Sequence, residues 1–280
     1  MGASLQSGQD QQIAKQDMDD PRNPKLEAAL NHKRQLLEAR KREIPIRGVR
    51  AQASLQPRPQ DIASVLKNGH VSLLTEVKRA SPSGLLVQEY DPVALAQQYE
   101  RFGAAALSVA TDETMLHGGL SHLMRVRRAV SLPVFRQDFI FDEYQIAETR
   151  AAGADGVRII AAILGDTDLW NLLSLTQRMK MTALMEVQSE PELDRVLSLD
   201  PRLIGIQNRN WLTGAVDLTL TERLRPKIPS HITVVSGGGI RTAQDVQRMA
   251  VLNVVAVAIG EALLTANSPA AKFGELLAAI

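Results

Sequence analysis

Hydrophobic positions change their period twice along this chain. Between Pro24 and Arg42, Leu26, Ala29, Leu30, Leu36 and Leu37 recur at helical spacing with Lys and Arg between them, which predicts an amphipathic helix. The stretch Leu55-Gln56-Pro57-Arg58-Pro59 cannot continue a helix, because each proline lacks a backbone N–H. Asp61 to Lys67 reads as one more short helix, with Asp61 near its start. From Val71 onward the rhythm is different. Short β-branched or aliphatic runs, VSLLTEV (71–77), AALSVA (105–110), PVFRQ (133–137), GVRII (156–160), TALMEV (182–187), LIGIQ (203–207), ITVVS (232–236) and VVAVAIG (254–260), alternate with helical stretches such as DPVALAQQYERFG and RTAQDVQRMA. From Glu76 to Gly260 the runs recur roughly every 26 residues.

Strands that alternate with helices imply right-handed crossovers and a parallel sheet. Eight such units predict an α/β fold of the closed (β/α)8, or TIM, barrel kind with an N-terminal helical extension. An open doubly wound sheet is the alternative, and no GxGxxG follows the first strand to support it. The expected organisation is a disordered tail over residues 1–24, rich in Gln, Ser, Asp and Gly, followed by one barrel domain over 25–280.

Composition changes this picture little. The 280 residues carry 32 Lys plus Arg against 31 Asp plus Glu, so no bulk field draws the protein to nucleic acid or to a membrane surface. No apolar run is long enough to span a bilayer, and the first twenty residues have no secretory apolar core. Gln6 stands where a myristoylation signal needs Ser or Thr. The absence of cysteine excludes disulfides, thiolate metal sites and a cysteine nucleophile. A cytoplasmic protein is expected, a monomer or weak homo-oligomer with no nucleic-acid or membrane partner. The five histidines (His32, His70, His117, His122 and His231) form no ligand set, so no metal is expected. Trp170 and Trp211 are expected to pack helices or a loop.

In a barrel of this kind the chemistry sits at the C-terminal strand ends. Glu76 and Lys78, two apart, share one face of the first strand, where two charges are costly unless paired or used. Glu186 ends the fifth strand and Arg209 follows the sixth. Gly237, Gly238 and Gly239 after the seventh strand, and Gly260 opening a helix after the eighth, let backbone N–H groups approach an anion. This corner is the expected phosphate site.

The segments EVKRASPSG, LSVATDE, DFIFDEYQI, ALMEV and IGIQNRN together resemble the indole-3-glycerol phosphate synthase family over about residues 25–280. The resemblance implies a carboxy-lyase of tryptophan biosynthesis. Its substrate is a small phosphorylated molecule, 1-(2-carboxyphenylamino)-1-deoxyribulose 5-phosphate, and no cofactor is needed. In that family the ring carbon attacks the sugar ketone, carbon dioxide leaves, and dehydration gives the indole. Carried over position by position, Glu76, Lys78 and Glu186 match catalytic groups. Ser81, Phe139, Gln207 and Arg209 are the substrate contacts the resemblance implies, and Asp138 and Phe139 match the third strand's Asp-Phe pair.

Several positions depart from the family pattern. Gln137 stands where the family has its third-strand lysine, the expected general acid, and Gln207 where it has asparagine. Gly237 and Gly238 replace a Glu-Ser pair, and Glu261 stands where many members have Ser. There the backbone N–H at 261 serves an anion, provided the carboxylate turns away. In the other direction, Arg158 replaces an aliphatic residue in the fourth strand and is expected to point into the barrel. Two readings of Arg158 stand: it restores the charge lost at Gln137, or it is a structural arginine paired to Glu76 or Glu186. Three functions follow: the synthase with an altered site, a divergent paralogue acting on another phosphorylated sugar derivative, or a noncatalytic barrel that binds a phosphorylated ligand.

Overall fold

The structure, a computed structural model, describes residues 24–280 except 68, 82, 83, 211 and 212. Residues 1–23 of the expected tail, and Trp211, lie outside the described residues, whereas Pro24, the last tail residue expected, begins a helix. Three helices come first: α1 (Pro24–Glu43), α2 (Ile46–Ser54) and α3 (Ile62–Leu66). Eight strands then alternate with helices: β1 (Ser72–Val77), β2 (Ala106–Ala110), β3 (Val134–Gln137), β4 (Gly156–Ile160), β5 (Thr182–Val187), β6 (Leu203–Gln207), β7 (Thr233–Gly237) and β8 (Ala256–Ile259). Each pairs in parallel with its sequence neighbour, and β8 closes onto β1 through Ser72 beside Ala256. The closed barrel is the expected one, with strand ends within two residues of the sequence reading.

The helices between the strands are α4 (Pro92–Phe102), α5 (Leu120–Ala129), α6 (Glu143–Ala151), α7 (Asp166–Arg178), α8 (Glu190–Leu197), α9 (Thr219–Leu224) and α10 (Ala243–Val251). After β8 come α11 (Glu261–Leu264) and α12 (Pro269–Leu277). Their starts are written locally. Asp91, Asp142, Ser189, Thr242 and Ser268 each accept a bond from a backbone N–H of the first turn.

Two cores result from strands buried on both faces. Outward-facing residues such as Val109, Ile159 and Ile206 pack against helix residues such as Leu123, Leu172 and Val246. Inside the barrel, Leu74, Ala106, Phe135, Leu184, Leu203, Val235 and Ala256 fill the lower part, plugged by Ile62 and Leu66 of α3. Gly156 is small because a Cβ there would collide with the Phe135 ring. The upper interior is polar, and it holds the candidate site.

Helix α1 lies over the C-terminal ends of β3 and β4. Its Leu26, Ala29 and Leu30 cover Met115, Phe139 and Ile160. Lys33, only 1% exposed, reaches Asp138 at 3.0 Å, Asp112 at 3.5 Å and Glu113 at 2.5 Å. Burial works against the ammonium, but these three carboxylates outweigh it and hold its pKa above the ordinary lysine value. Helix α2 was not legible in the sequence; its Val49 packs with Leu37, Tyr144 and Ala147. Trp170 departs from expectation. It faces solvent, 57% exposed on α7, whose buried face is made by Leu169, Leu172 and Leu173 instead.

Candidate active site

Residues two apart on a strand share a face, so the alternation that sends Leu74 inward also sends Glu76 inward, one pleat higher. The same count brings Ser108, Gln137, Arg158, Glu186 and Gln207 to the upper interior, where they line the barrel cavity. Glu76 is the hub. Lys78 Nζ donates to its Oε2 at 2.5 Å, and Gln137 Nε2 and Arg158 Nη1 both donate to its Oε1 at 3.1 Å. Arg158 Nε donates to Glu186 Oε2 at 3.0 Å, and its Nη2 donates to the same oxygen. Ser108 Oγ donates to Gln137 Oε1 at 3.4 Å. Arg158 therefore bridges both carboxylates rather than one.

Two carboxylates and two cations make this group neutral. Burial pushes the Glu76 carboxyl up, but Lys78 and then Arg158 outweigh burial and lower its pKa to about 2. Burial likewise opposes the Arg158 charge, and Glu186 and Glu76 outweigh it, holding the guanidinium above its ordinary value. Gln137 has no acidic proton to give. Among the described residues lining the cavity, Lys78 is the one lysine.

The wall beside this group carries the glycine turn. Gly238 and Gly239 both sit in the left-handed region, at φ 79° and 89°. A Cβ on Gly238 would collide with Gln207 Oε1 and lie 2.8 Å from the Arg209 nitrogen. Gly260 is small for a reason the sequence does not suggest: a Cβ there would lie 2.6 Å from Glu76 Oε2 and 3.0 Å from Lys78 Cε. Its lack of a side chain lets the Glu76–Lys78 pair cross β8. Arg209 Nη2 meets Glu261 Oε2 at 2.9 Å, and Arg241 Nη2 meets Glu261 Oε1. The Glu261 carboxylate does not turn away from the corner, as the sequence reading required, because two guanidinium groups flank it.

One cavity, open at its mouth, is lined by Glu76, Lys78, Ser81, Gln137, Gln207 and Arg209, and by Gly238, Gly239, Gly260 and Glu261. Beneath it a smaller space reaches Arg158 and Glu186. Every candidate but Phe139 therefore meets at the barrel mouth. Phe139, expected to touch substrate, is 2% exposed and packs under α1 with Leu26, Leu30 and Ile160. Its neighbour Asp138 is likewise structural in its contacts, bonded to Lys33, Arg136 and Thr111. Arg241, Leu116 and Ser108 line the cavity and escaped the sequence reading. Ser108 had a signal, a polar residue on the inward face of β2. Arg241 had one too, a cation two residues after the glycine turn.

Comparison with known proteins follows this geometry. Residues 26–276 match the model of the family described as indole-3-glycerol phosphate synthase. A relative of that name from Dehalococcoides mccartyi (strain CBDB1) is 44% identical over 246 residues, covering 86% of this chain and 95% of the relative. Another, from Roseiflexus sp. (strain RS-1), is 41% identical over 261 residues and covers 90% and 97% respectively. Among solved structures, 3-hexulose-6-phosphate synthase superposes with a TM-score of 0.60 at 17% identity, over 75% of this chain and all of that one, a likeness of fold. Among the described residues no helix is long and apolar enough to cross a membrane.

Proposed function

The chain belongs to the indole-3-glycerol phosphate synthase family, and on that footing we propose that it is a carboxy-lyase that closes the indole ring of 1-(2-carboxyphenylamino)-1-deoxyribulose 5-phosphate. One observation carries this reading. An acid–base group, Glu76, Lys78 and Glu186, shares one barrel mouth with a cationic, glycine-lined corner that suits a phosphate ester.

The chemistry is divided accordingly. With the phosphate against Arg209, Arg241 and the Gly238–Gly239 turn, the sugar ketone lies toward Lys78 and Arg158. The ring carbon bearing the carboxylate attacks the ketone carbon, and the ketone oxygen takes a proton from the Lys78 ammonium. Arg158 stabilises the oxyanion as it develops, because a guanidinium holds its proton too tightly to give it up. The carboxylate leaves as carbon dioxide, and its bonding electrons restore the aromatic ring. Glu186 then takes the proton from the carbon next to nitrogen and passes it to the departing hydroxyl, which leaves as water. The balance is one proton consumed, and solvent returns it to Lys78. Glu76 holds Lys78 charged and oriented.

Gln137 donates a hydrogen bond where the family's lysine would donate a proton. General acid catalysis contributes about 10²–10⁴-fold, and Lys78, already bonded to Glu76, supplies only part of it in place of the absent third-strand lysine, so a slow enzyme is expected. The test is indole formation from this substrate by the purified protein and by Gln137→Lys, Arg158→Leu and the double variant. Turnover is expected from the parent, higher from Gln137→Lys and lower from Arg158→Leu. Indole formation by none of the four refutes the synthase reading. A second reading, a barrel that binds the ligand without turning it over, draws on the pairing of Arg158 with Glu186, which engages the base. Substrate binding without indole formation in all four proteins would establish it.

A further inference from the structure

We propose that Glu261 is a built-in competitor at the phosphate corner: its carboxylate occupies the phosphate's place between Arg209 and Arg241, and a ligand's phosphate must displace it to bind. The inference rests on the phosphate corner of the reading above. Each Glu261 carboxylate oxygen takes one arginine, Oε2 on Arg209 and Oε1 on Arg241, as two oxygens of a phosphate would. All three side chains line the same cavity as the Gly238–Gly239 turn. The chain thus carries its own anion at its anion corner.

Arg209 has a second anchor besides Glu261, and the backbone of Arg241 is fixed independently of it. Arg209 Nη1 also donates to the Gly214 carbonyl at 3.3 Å. The Arg241 backbone N–H donates to Asp245 Oδ2 at 2.9 Å, within the cap of α10. Glu261 itself is the first residue of α11 and is partly exposed, so its side chain can swing to solvent without unwinding the helix. A displaced Glu261 leaves two cations for the phosphate at this corner, while a resident one leaves a single net positive charge.

The consequence is a lowered affinity for every phosphate ligand, so that only one with further contacts in the cavity binds well. Inorganic phosphate or a short sugar phosphate must break two ion pairs and brings nothing else to offset them. A phosphate monoester with a carboxyphenylamino end gains further contacts at the Lys78 and Arg158 end of the cavity. Partly exposed ion pairs of this kind are individually weak, so breaking the two amounts to roughly tenfold in affinity for bare phosphate.

The test titrates inorganic phosphate by calorimetry into the full-length protein, Glu261→Gln, Glu261→Ser and the double variant Glu261→Gln with Arg209→Met. Both single variants should bind phosphate roughly tenfold or more tightly than the parent, and the double variant should lose that gain. Equal or weaker phosphate binding by both single variants overturns the role of Glu261 and leaves the synthase reading standing. No phosphate binding by any of the four removes the phosphate corner itself, and the inference falls with it.

Discussion

Arg158→Leu is the perturbation that reaches deepest into this molecule. The side chain is 4% exposed and donates to both buried glutamates, so its removal changes the net charge of a neutral interior group to −1. Removing one partner of a buried ion pair costs about 3–5 kcal/mol, because the remaining charge is left uncompensated. The pH dependence follows from the sign of the Glu76 shift. Its folded pKa of about 2 lies below its ordinary 4.5. The stabilisation, about 3 kcal/mol, is full above pH ~4.5 and is lost as pH falls toward ~2. Without Arg158 the Glu76 carboxyl loses one of the two cations that hold its pKa down, so it protonates at higher pH than in the parent.

Urea unfolding should therefore show the variant about 3–5 kcal/mol less stable at pH 7. The gap should narrow as pH falls to ~4, since the variant escapes its cost by protonation while the parent keeps its ion pairs. Arg158→Leu combined with Glu186→Leu should recover most of the loss, because apolar groups of similar volume replace the pair. A single variant within ~1 kcal/mol of the parent at pH 7, or a gap unchanged between pH 7 and 4, would refute the argument that this network is held by its charges.

Three further outcomes are expected. Lys33→Met takes the buried cation from Asp112 beneath α1 and leaves Asp138 to Arg136 alone, so it should cost about 3 kcal/mol and open α1 to limited proteolysis. Gly238→Ala forces a side chain into the left-handed region against Gln207, and should cost about 1–3 kcal/mol in thermal unfolding while weakening phosphate binding. Removing residues 1–20, which lack apolar periodicity, should change thermal stability by less than about 1 kcal/mol.

The barrel was legible because a parallel strand buried on both faces reads as a continuous apolar run, and eight such runs admit few topologies. The inward direction of Glu76, Gln137, Arg158 and Glu186 was legible as well, since the two-residue alternation needs no knowledge of neighbours. Sequence could not decide which partner a buried charge takes. Arg158 had two carboxylates in reach, and only the width of the barrel brings both within hydrogen-bond distance of one guanidinium. Helix α2 was hidden because IRGVRAQAS is only nine residues long, too short for its stripe of Ile46, Val49 and Ala53 to declare a helix, and its stability comes from packing on Tyr144 and Ala147, about a hundred residues away. Phe139 follows the strand end but is covered by α1, and Glu261 meets Arg209 across 52 positions of chain. Local patterning thus determined the elements and the facing of their side chains. Tertiary structure alone decided the partners, because a charge or ring takes whichever neighbour closure of the barrel brings within a few ångströms, whatever their separation in sequence.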